Sequence, residues 1–400
     1  VAREGLTVDA APTALTLRTT LALGFVTFLL MLPETLPVPV LRGLVVDRFA
    51  VGERLAGVFM SANMIGALLA APWLGGLVRR AGSRRRLAVA ALLLDAVAMQ
   101  SLAQMQDFAP FLLLRAVEGA LHIAALTLVM SLVADAAGSR RGGALGCLGA
   151  GLTLGVATGA AIGGQLGKDD PLRTLHIASA VLAIAGLLAA RLLPPDVAPA
   201  QPAARRGLLD AWRNVPAARA PLLVAFVERF TVGFFTTGFP LLLPGDEPAD
   251  RARIGMLLGA FLYPFALLSW PFGRAAERWS RVGMVAIGSA VYGLGVMAVG
   301  VAPIGAMWLL MPLLGVSSAV MFVPSLLWLL DRAPGIDRTT AMAAFHGAGS
   351  LGFLVGPICC GQLIALGGAE GGVGYALAFG VAGLTEIGAA LLVALGGRRR

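Results

Sequence analysis

The sequence has little charge. Only 13% of its 400 residues are Asp, Glu, Lys or Arg, against about a quarter in ordinary globular chains. Lys168 is the only lysine, and there are three histidines, three tyrosines and three cysteines. With 58% hydrophobic residues and a mean hydropathy of +0.84, the chain has too little polar surface for a soluble globule of this size. The scarcity of cysteine excludes a disulfide framework. Cys147, Cys359 and Cys360 lie inside apolar runs without metal-ligand spacing and read as small packing residues. There is no His-rich metal cluster, Ser/His/Asp signature or phosphate-binding loop, so neither an enzyme nor a cofactor or metal is expected. The net charge of +9 comes mostly from arginines between hydrophobic segments, which fits lipid headgroups and topology rather than nucleic acid.

What the sequence has in abundance is long apolar runs. Twelve spans are expected, at 19–41, 54–78, 86–105, 109–133, 142–166, 172–193, 220–243, 252–273, 281–301, 304–330, 339–366 and 373–396. They are too long for strands and lack period-two alternation, so the expected fold is all-α and polytopic. No cleavable signal peptide is visible, and the first span is expected to be retained. A cytoplasmic N-terminus puts about 22 Arg/Lys on that side and about 7 on the other, the positive-inside asymmetry. The clusters are Arg79–Arg80 with Arg84–Arg86, Arg140–Arg141, Arg205–Arg206 and Arg398–Arg400. An even span count then makes both termini cytoplasmic, in the cell membrane.

The longest connection, 194–219, opens Pro194–Pro195 and is too polar to span. It is expected to be a cytoplasmic linker with a short surface helix near Leu208–Trp212, dividing six-helix bundles at 1–193 and 220–400. The halves repeat. Gly75, Arg79 and Arg80 after the second span are echoed by Gly273, Glu277 and Arg278 after the eighth, at an offset of 198. Gly155, Gly159 and Gly164 of the fifth span are echoed by Gly352, Gly356 and Gly361 of the eleventh, at 197. A parallel repeat of this kind relates transporter halves about an axis along the membrane normal.

These motifs resemble the major facilitator superfamily over essentially the whole chain. Gly75-Gly-Leu-Val-Arg79-Arg80-Ala-Gly82-Ser-Arg84-Arg85 is similar to the family's loop signature between helices two and three, with Arg79 at its acidic position. Gly146, Gly155, Gly159, Gly163 and Gly164 resemble the fifth-helix signature of proton-coupled drug antiporters, with Ala160 at its proline. Gly356-Pro357 occupies the equivalent place in the eleventh span. Arg115-Ala-Val-Glu118-Gly119 resembles the family's Arg-x-x-Gln-Gly pattern, and Leu36-Pro-Val-Pro-Val-Leu41 resembles the first helix of small multidrug exporters. The resemblance implies alternating access by a monomer around a midplane cavity.

Charges inside a bilayer are costly and are functional candidates by default. Arg115, Glu118 and His122 fall at i, i+3 and i+7, within an arc of about 60° on one helix face. Arg115 can hold Glu118 ionised or be released when it takes a proton, and His122 can extend a relay. Glu34 lies among Pro33, Pro37 and Pro39, where the helix is loosened and carbonyls are freed to line a cavity. Glu228 and Arg229 are adjacent, about 100° apart on their helix, so separate partners are expected. His346 faces many glycines. Asp95 and Glu386 are expected to be structural, in peripheral spans, and Asn63, Gln100, Gln165 and His176 to be packing or structural residues. The Gly75–Arg86 loop suits a cytoplasmic gate whose basic groups meet acids of the opposite half. The fifth- and eleventh-span glycines suit close packing between the halves.

The expectation is a proton-coupled exporter of a small organic compound, amphipathic or cationic. Facilitated uptake or lipid flipping on the same fold is the alternative, and a non-transporting membrane sensor or enzyme a remote one.

Overall fold

The computed structural model describes residues 15–138, 141–196, 208–243, 247–332, 338–368 and 372–397. Every regular element among them is helical. The first set of long helices is α1 (Leu17–Thr35), α2 (Glu53–Ala81), α3 (Arg84–Gln104), α4 (Phe108–Ala137), α5 (Arg141–Leu166) and α6 (Leu172–Leu192). A short helix, α7 (Leu208–Asn214), stands in the connection. The second set is α8 (Arg219–Leu242), α9 (Pro248–Ala275), α10 (Arg281–Val299), α11 (Met307–Arg332), α12 (Arg338–Gly367) and α13 (Val373–Gly397). Among the described residues, eleven helices are long and apolar enough to cross a membrane, and α2 is a further long helix packed among them. Large apolar side chains such as Phe25, Trp73, Trp270 and Leu309 point outward, as lipid contact requires and water contact would penalise. The arginines at 140, 205–206 and 398–400 lie outside the described residues.

Local chemistry sets the boundaries. Gly82 ends α2 in the left-handed region, at φ 65°, and its N–H donates to Val78 O. Ser83 then caps α3 by accepting from Arg86 N at 3.2 Å. In the second half Ser280 caps α10 in the same way, accepting from Gly283 N at 3.1 Å. The first span is not one continuous α-helix. The prolines at 33, 37 and 39 remove backbone donors, and past Thr35 the chain passes into a 3-10 turn at Val38–Val40 and a π-helical turn at Arg42–Asp47.

The glycines of α5 and α12 let backbones touch. A Cβ at Gly151, Gly155 or Gly159 would strike Gly24, Phe28 or Leu32 O of α1, and one at Gly163 would strike Leu36 O just past its end. A Cβ at Gly352 or Gly356 would strike Phe226 or Phe230 O of α8. Most of these contacts therefore lie within one half, which corrects the expectation of packing between halves. Gly164 against Arg251, Gly361 against Glu53 and Pro357 against Gly57 do cross between them. Gly146 faces open space.

The crossing polar contacts run from the middle of the molecule towards the end where α1 runs into α2. Arg42 donates to Leu241 O at 2.7 Å and to Tyr375 Oη at 2.9 Å. Ser61 donates to Leu354 O at 2.7 Å, and Arg251 to Lys168 O at 2.9 Å. The Thr158 and Tyr263 hydroxyls meet at 3.1 Å. The halves are thus interlocked at the end opposite the Arg79–Arg86 loop.

Candidate functional site

The sharpest polar cluster lies inside the first half. Arg115, Glu118 and His122 are all buried on one face of α4, as their spacing predicts. Arg115 Nη1 donates to Glu118 Oε2 at 2.5 Å, and its Nη2 lies 3.6 Å from Glu34 Oε1 on α1. The guanidinium carbon is 5.5 Å from the centroid of the Phe59 ring, an apolar wall that keeps the charge from water. His122 Nδ1 lies 3.0 Å from Asp95 Oδ2 on α3, and its Nε2 lies 3.9 Å from Glu34 Oε2. A cavity of about 10 Å³, room for one water, is lined by Glu34, Pro37, Phe59 and Arg115 among others.

Two members of this cluster belong to residues the sequence assigned to structural roles. Asp95 is fully buried and orients the imidazole of His122. Asn63 of α2 donates to Glu34 Oε1 at 2.5 Å. Glycine brings Asn63 there, since a Cβ at Gly119 would meet the Asn63 backbone and one at Gly66 would meet Ala116 O. The available signal was an acid in mid-helix with no charged neighbour on α3. A single sequence does not say which helix it faces.

Each acid is held by one oxygen and turns the other inward. Glu34 Oε2, Glu118 Oε1 and His122 Nε2 are buried and have no hydrogen-bond partner among the described residues. One ligand atom from each of these residues lies within 4.8 Å of the others. Glu118 and His122 share a face of α4 at i and i+4, which the sequence shows, but nothing in the spacing brings Glu34 of α1 to them.

The second half has buried acids in a different arrangement. Glu228 Oε1 accepts from Arg229 Nη1 at 3.2 Å, which corrects the expectation that these neighbours would not pair. Backbone positions 100° apart do not prevent it, because the long arginine side chain folds back. The Ser325 hydroxyl reaches Glu228 Oε2 at 3.5 Å. The Arg229 guanidinium carbon also stands 4.2 Å from the Phe322 ring centroid and 5.8 Å from that of Phe353. Glu386 accepts from the Thr231 hydroxyl at 3.0 Å. His346 is exposed and edge-on to Phe345, apart from the first-half cluster. His176 meets Gln100 at 3.0 Å, in keeping with a structural role.

The expected gate residues occupy the other end of the molecule. Gly75 lies within α2, Arg79 and Arg80 are exposed on its last turn, and Glu277 and Arg278 are exposed after α9. Gly273 packs against Val323. Arg84 pairs with Asp135 and with Asp196 of the linker. Its Nη1 donates to Asp135 Oδ2 of α4 at 2.6 Å, and its Nε to Asp196 Oδ1 at 3.3 Å. Partial burial tends to raise the Asp196 carboxyl. Hydrogen bonds from the Ser83 hydroxyl, the Arg84 and Arg85 backbone N–H groups and the Arg84 side chain outweigh that and hold it below the ordinary aspartate value. In the second half, Arg281 of α10 pairs with Asp331 of α11.

Comparison with known proteins agrees with this architecture. The family model of the Major Facilitator Superfamily matches residues 23–245 and 221–400. Among solved structures, a variant of the nucleoside transporter NupG superposes with a TM-score of 0.77 at 15% identity, over 95% of this chain and 98% of that chain. A bacterial homologue of the human lysosomal transporter Spinster, inward-facing and occupied, gives 0.72 at 14% identity, over 94% of each chain. A D-xylose–proton symporter gives 0.70 at 15% identity, over 94% of this chain and 96% of that one. At these identities the likeness shows the fold alone. No curated protein matches the sequence. The chain belongs to the Major Facilitator Superfamily and has its transporter fold.

Proposed function

We propose that this chain is a proton-coupled secondary transporter that exports a small organic compound, amphipathic or cationic, by alternating access. Residues 1–193 rock against 220–400 around a midplane site, with 194–219 as the linker. Both termini lie in the cytoplasm of a cell in whose plasma membrane the monomer works. The observation that carries the reading is the buried Glu34–Asp95–Arg115–Glu118–His122 network. A charge with no water around it needs a partner. Protonation of Glu118 frees Arg115 to turn wholly to Glu34, and loss of that proton restores the Arg115–Glu118 pair. A change of partners between α4 and α1 is the kind of local event that biases a two-state bundle. Glu228 and Arg229 contact substrate or brace the gate from the second half, and Arg229 beside Phe322 suits an aromatic ligand.

With the termini cytoplasmic, the interlocked end faces outward and the Arg79–Arg86 end faces the cytoplasm. The present conformation is then closed towards the outside, a state that export and uptake both pass through. Likeness to a D-xylose–proton symporter and to a nucleoside transporter supports a second reading, proton-coupled uptake on the same frame. A screen of organic cations, nucleosides and sugars in proteoliposomes, under inward and outward proton gradients, separates the two. Export requires flux against the direction of proton flow and uptake requires flux along it. Substrate flux that ignores both gradients would end the proton-coupled reading.

A further inference from the structure

We propose that Glu34, Glu118 and His122 form a binding site for one divalent first-row cation, taken up in exchange for two protons. Glu34 comes from α1 and Glu118 and His122 come from α4, and Glu34 Oε2, Glu118 Oε1 and His122 Nε2 are all buried without a hydrogen-bond partner among the described residues. A ligand atom from each lies within 4.8 Å of the others. Glu118 is fully buried and His122 is 6% exposed. An orphaned buried acceptor is costly, and three of them on side chains that come this close point to a ligand.

The surroundings support these atoms as ligands. Asp95 Oδ2 lies 3.0 Å from His122 Nδ1. With the proton on Nδ1, the Nε2 lone pair faces the site, the carboxylate–imidazole arrangement that supports metal-binding histidines. Asn63 holds Glu34 by Oε1 and Arg115 holds Glu118 by Oε2, which leaves the other oxygen of each available as a ligand. The charge balance agrees. Glu34, Asp95 and Glu118 set against Arg115 leave two negative charges when His122 is neutral. Either two protons or one divalent ion neutralises them. Among the described residues these are the charged side chains that α1, α3 and α4 bring to the site, and α2 adds the neutral Asn63.

One imidazole and two carboxylates suit a borderline ion such as Mn²⁺ or Zn²⁺ and leave coordination positions for water. Bonds of about 2.0–2.2 Å place tetrahedral ligands roughly 3.4 Å apart, so the site must close by about an ångström. Glu34 is the ligand able to move. Its side chain is 23% exposed, and it lies where the prolines break α1.

The test uses tag-free protein in detergent, titrated with Mn²⁺ and followed by electron paramagnetic resonance. We expect one Mn²⁺ per chain, displaced by Zn²⁺, with an apparent affinity that rises up to about a hundredfold per pH unit as two protons leave. His122, His176 and His346 are the only histidines. Bound Mn²⁺ in the His176→Gln/His346→Gln variant should therefore retain nitrogen coupling, and adding His122→Gln should abolish it. Glu118→Gln should weaken binding at least tenfold and Asp95→Asn about 10–100-fold, with thermal melting confirming that each variant is folded. Absence of saturable Mn²⁺ uptake by folded wild-type protein at pH 8 would overturn the proposal. So would uptake without nitrogen coupling in the His176/His346 variant, an arm that leaves the cluster intact. Proton-driven transport without Mn²⁺ binding would overturn the site and leave the transport reading standing. Mn²⁺ binding without proton-driven transport would do the reverse.

Discussion

The two halves share a frame and differ in their chemistry. At an offset of 197, Ser83 and Arg84 of α3 become Ser280 and Arg281 of α10, and the α5 glycines at 155 and 159 become those at 352 and 356 of α12. The contacts repeat with them. Arg84–Asp135 ties α3 to α4 as Arg281–Asp331 ties α10 to α11, and α5 lies on α1 as α12 lies on α8. The charged cluster does not repeat. Glu34, Asp95, Arg115, Glu118 and His122 correspond to Thr231, Tyr292, Pro312, Gly315 and Ala319. Conversely, Glu228 and Arg229 correspond to Met31 and Leu32. Backbone approach and helix caps preserve the fold in both copies, while buried ionisable groups are free to differ where the chemistry differs. We therefore propose the first half as the seat of coupling.

Stability variants sharpen that comparison. The largest effect is expected from Arg115→Met, which leaves Glu118 without its cation. Breaking a buried pair from one side costs about 3–5 kcal/mol, and thermal melting should recover most of it in Arg115→Met/Glu118→Leu. Arg229→Met should cost less, because its side chain is 16% exposed and Glu228 keeps the Ser325 hydroxyl. Next come Gly159→Val and Gly356→Val, each driving a side chain into a carbonyl of the neighbouring helix. Overpacking of about 1–3 kcal/mol is expected for both, and a large difference between them would break the structural equivalence of the halves. Gly146→Ala should melt like wild type.

Smaller differences are expected at the paired ends. Asp135→Asn should cost more than Asp331→Asn, because Arg84 is 14% exposed and Arg281 is 28% exposed. Both should stay near the value of about 1 kcal/mol or less for accessible pairs. Asp196 gives the smallest signal. Its carboxyl is lowered in the folded state, so its contribution is present above the ordinary aspartate pKa. It fades as pH falls below that value and through the lowered one. Asp196→Asn should flatten the acid limb of a melting-temperature profile slightly and leave neutral pH unchanged in shape.

Much of the frame is legible in the sequence, since lipid makes helices compulsory and hydropathy marks them. The Arg115–Glu118–His122 face is legible too, because helical periodicity places it. What single-chain periodicity does not carry is which helix faces which. Asp95 therefore read as a peripheral support and Asn63 as packing, although α3 and α2 bring both to the cluster. The glycines announced close contact without naming their partners, and Gly155 and Gly159 met α1 rather than the opposite half. Glu228 and Arg229 failed a rule about backbone directions because side-chain length was left out of it.

The central claim is that protons act through the first half. Its most direct test is ethidium flux, or flux of whichever compound the screen identifies, in proteoliposomes with and without an imposed pH gradient. Wild-type flux should rise at least tenfold with the gradient. Glu118→Gln should keep gradient-independent exchange and lose that acceleration, while Glu228→Gln should retain it. Full acceleration in Glu118→Gln together with its loss in Glu228→Gln would contradict the account and move the proton site to the second half.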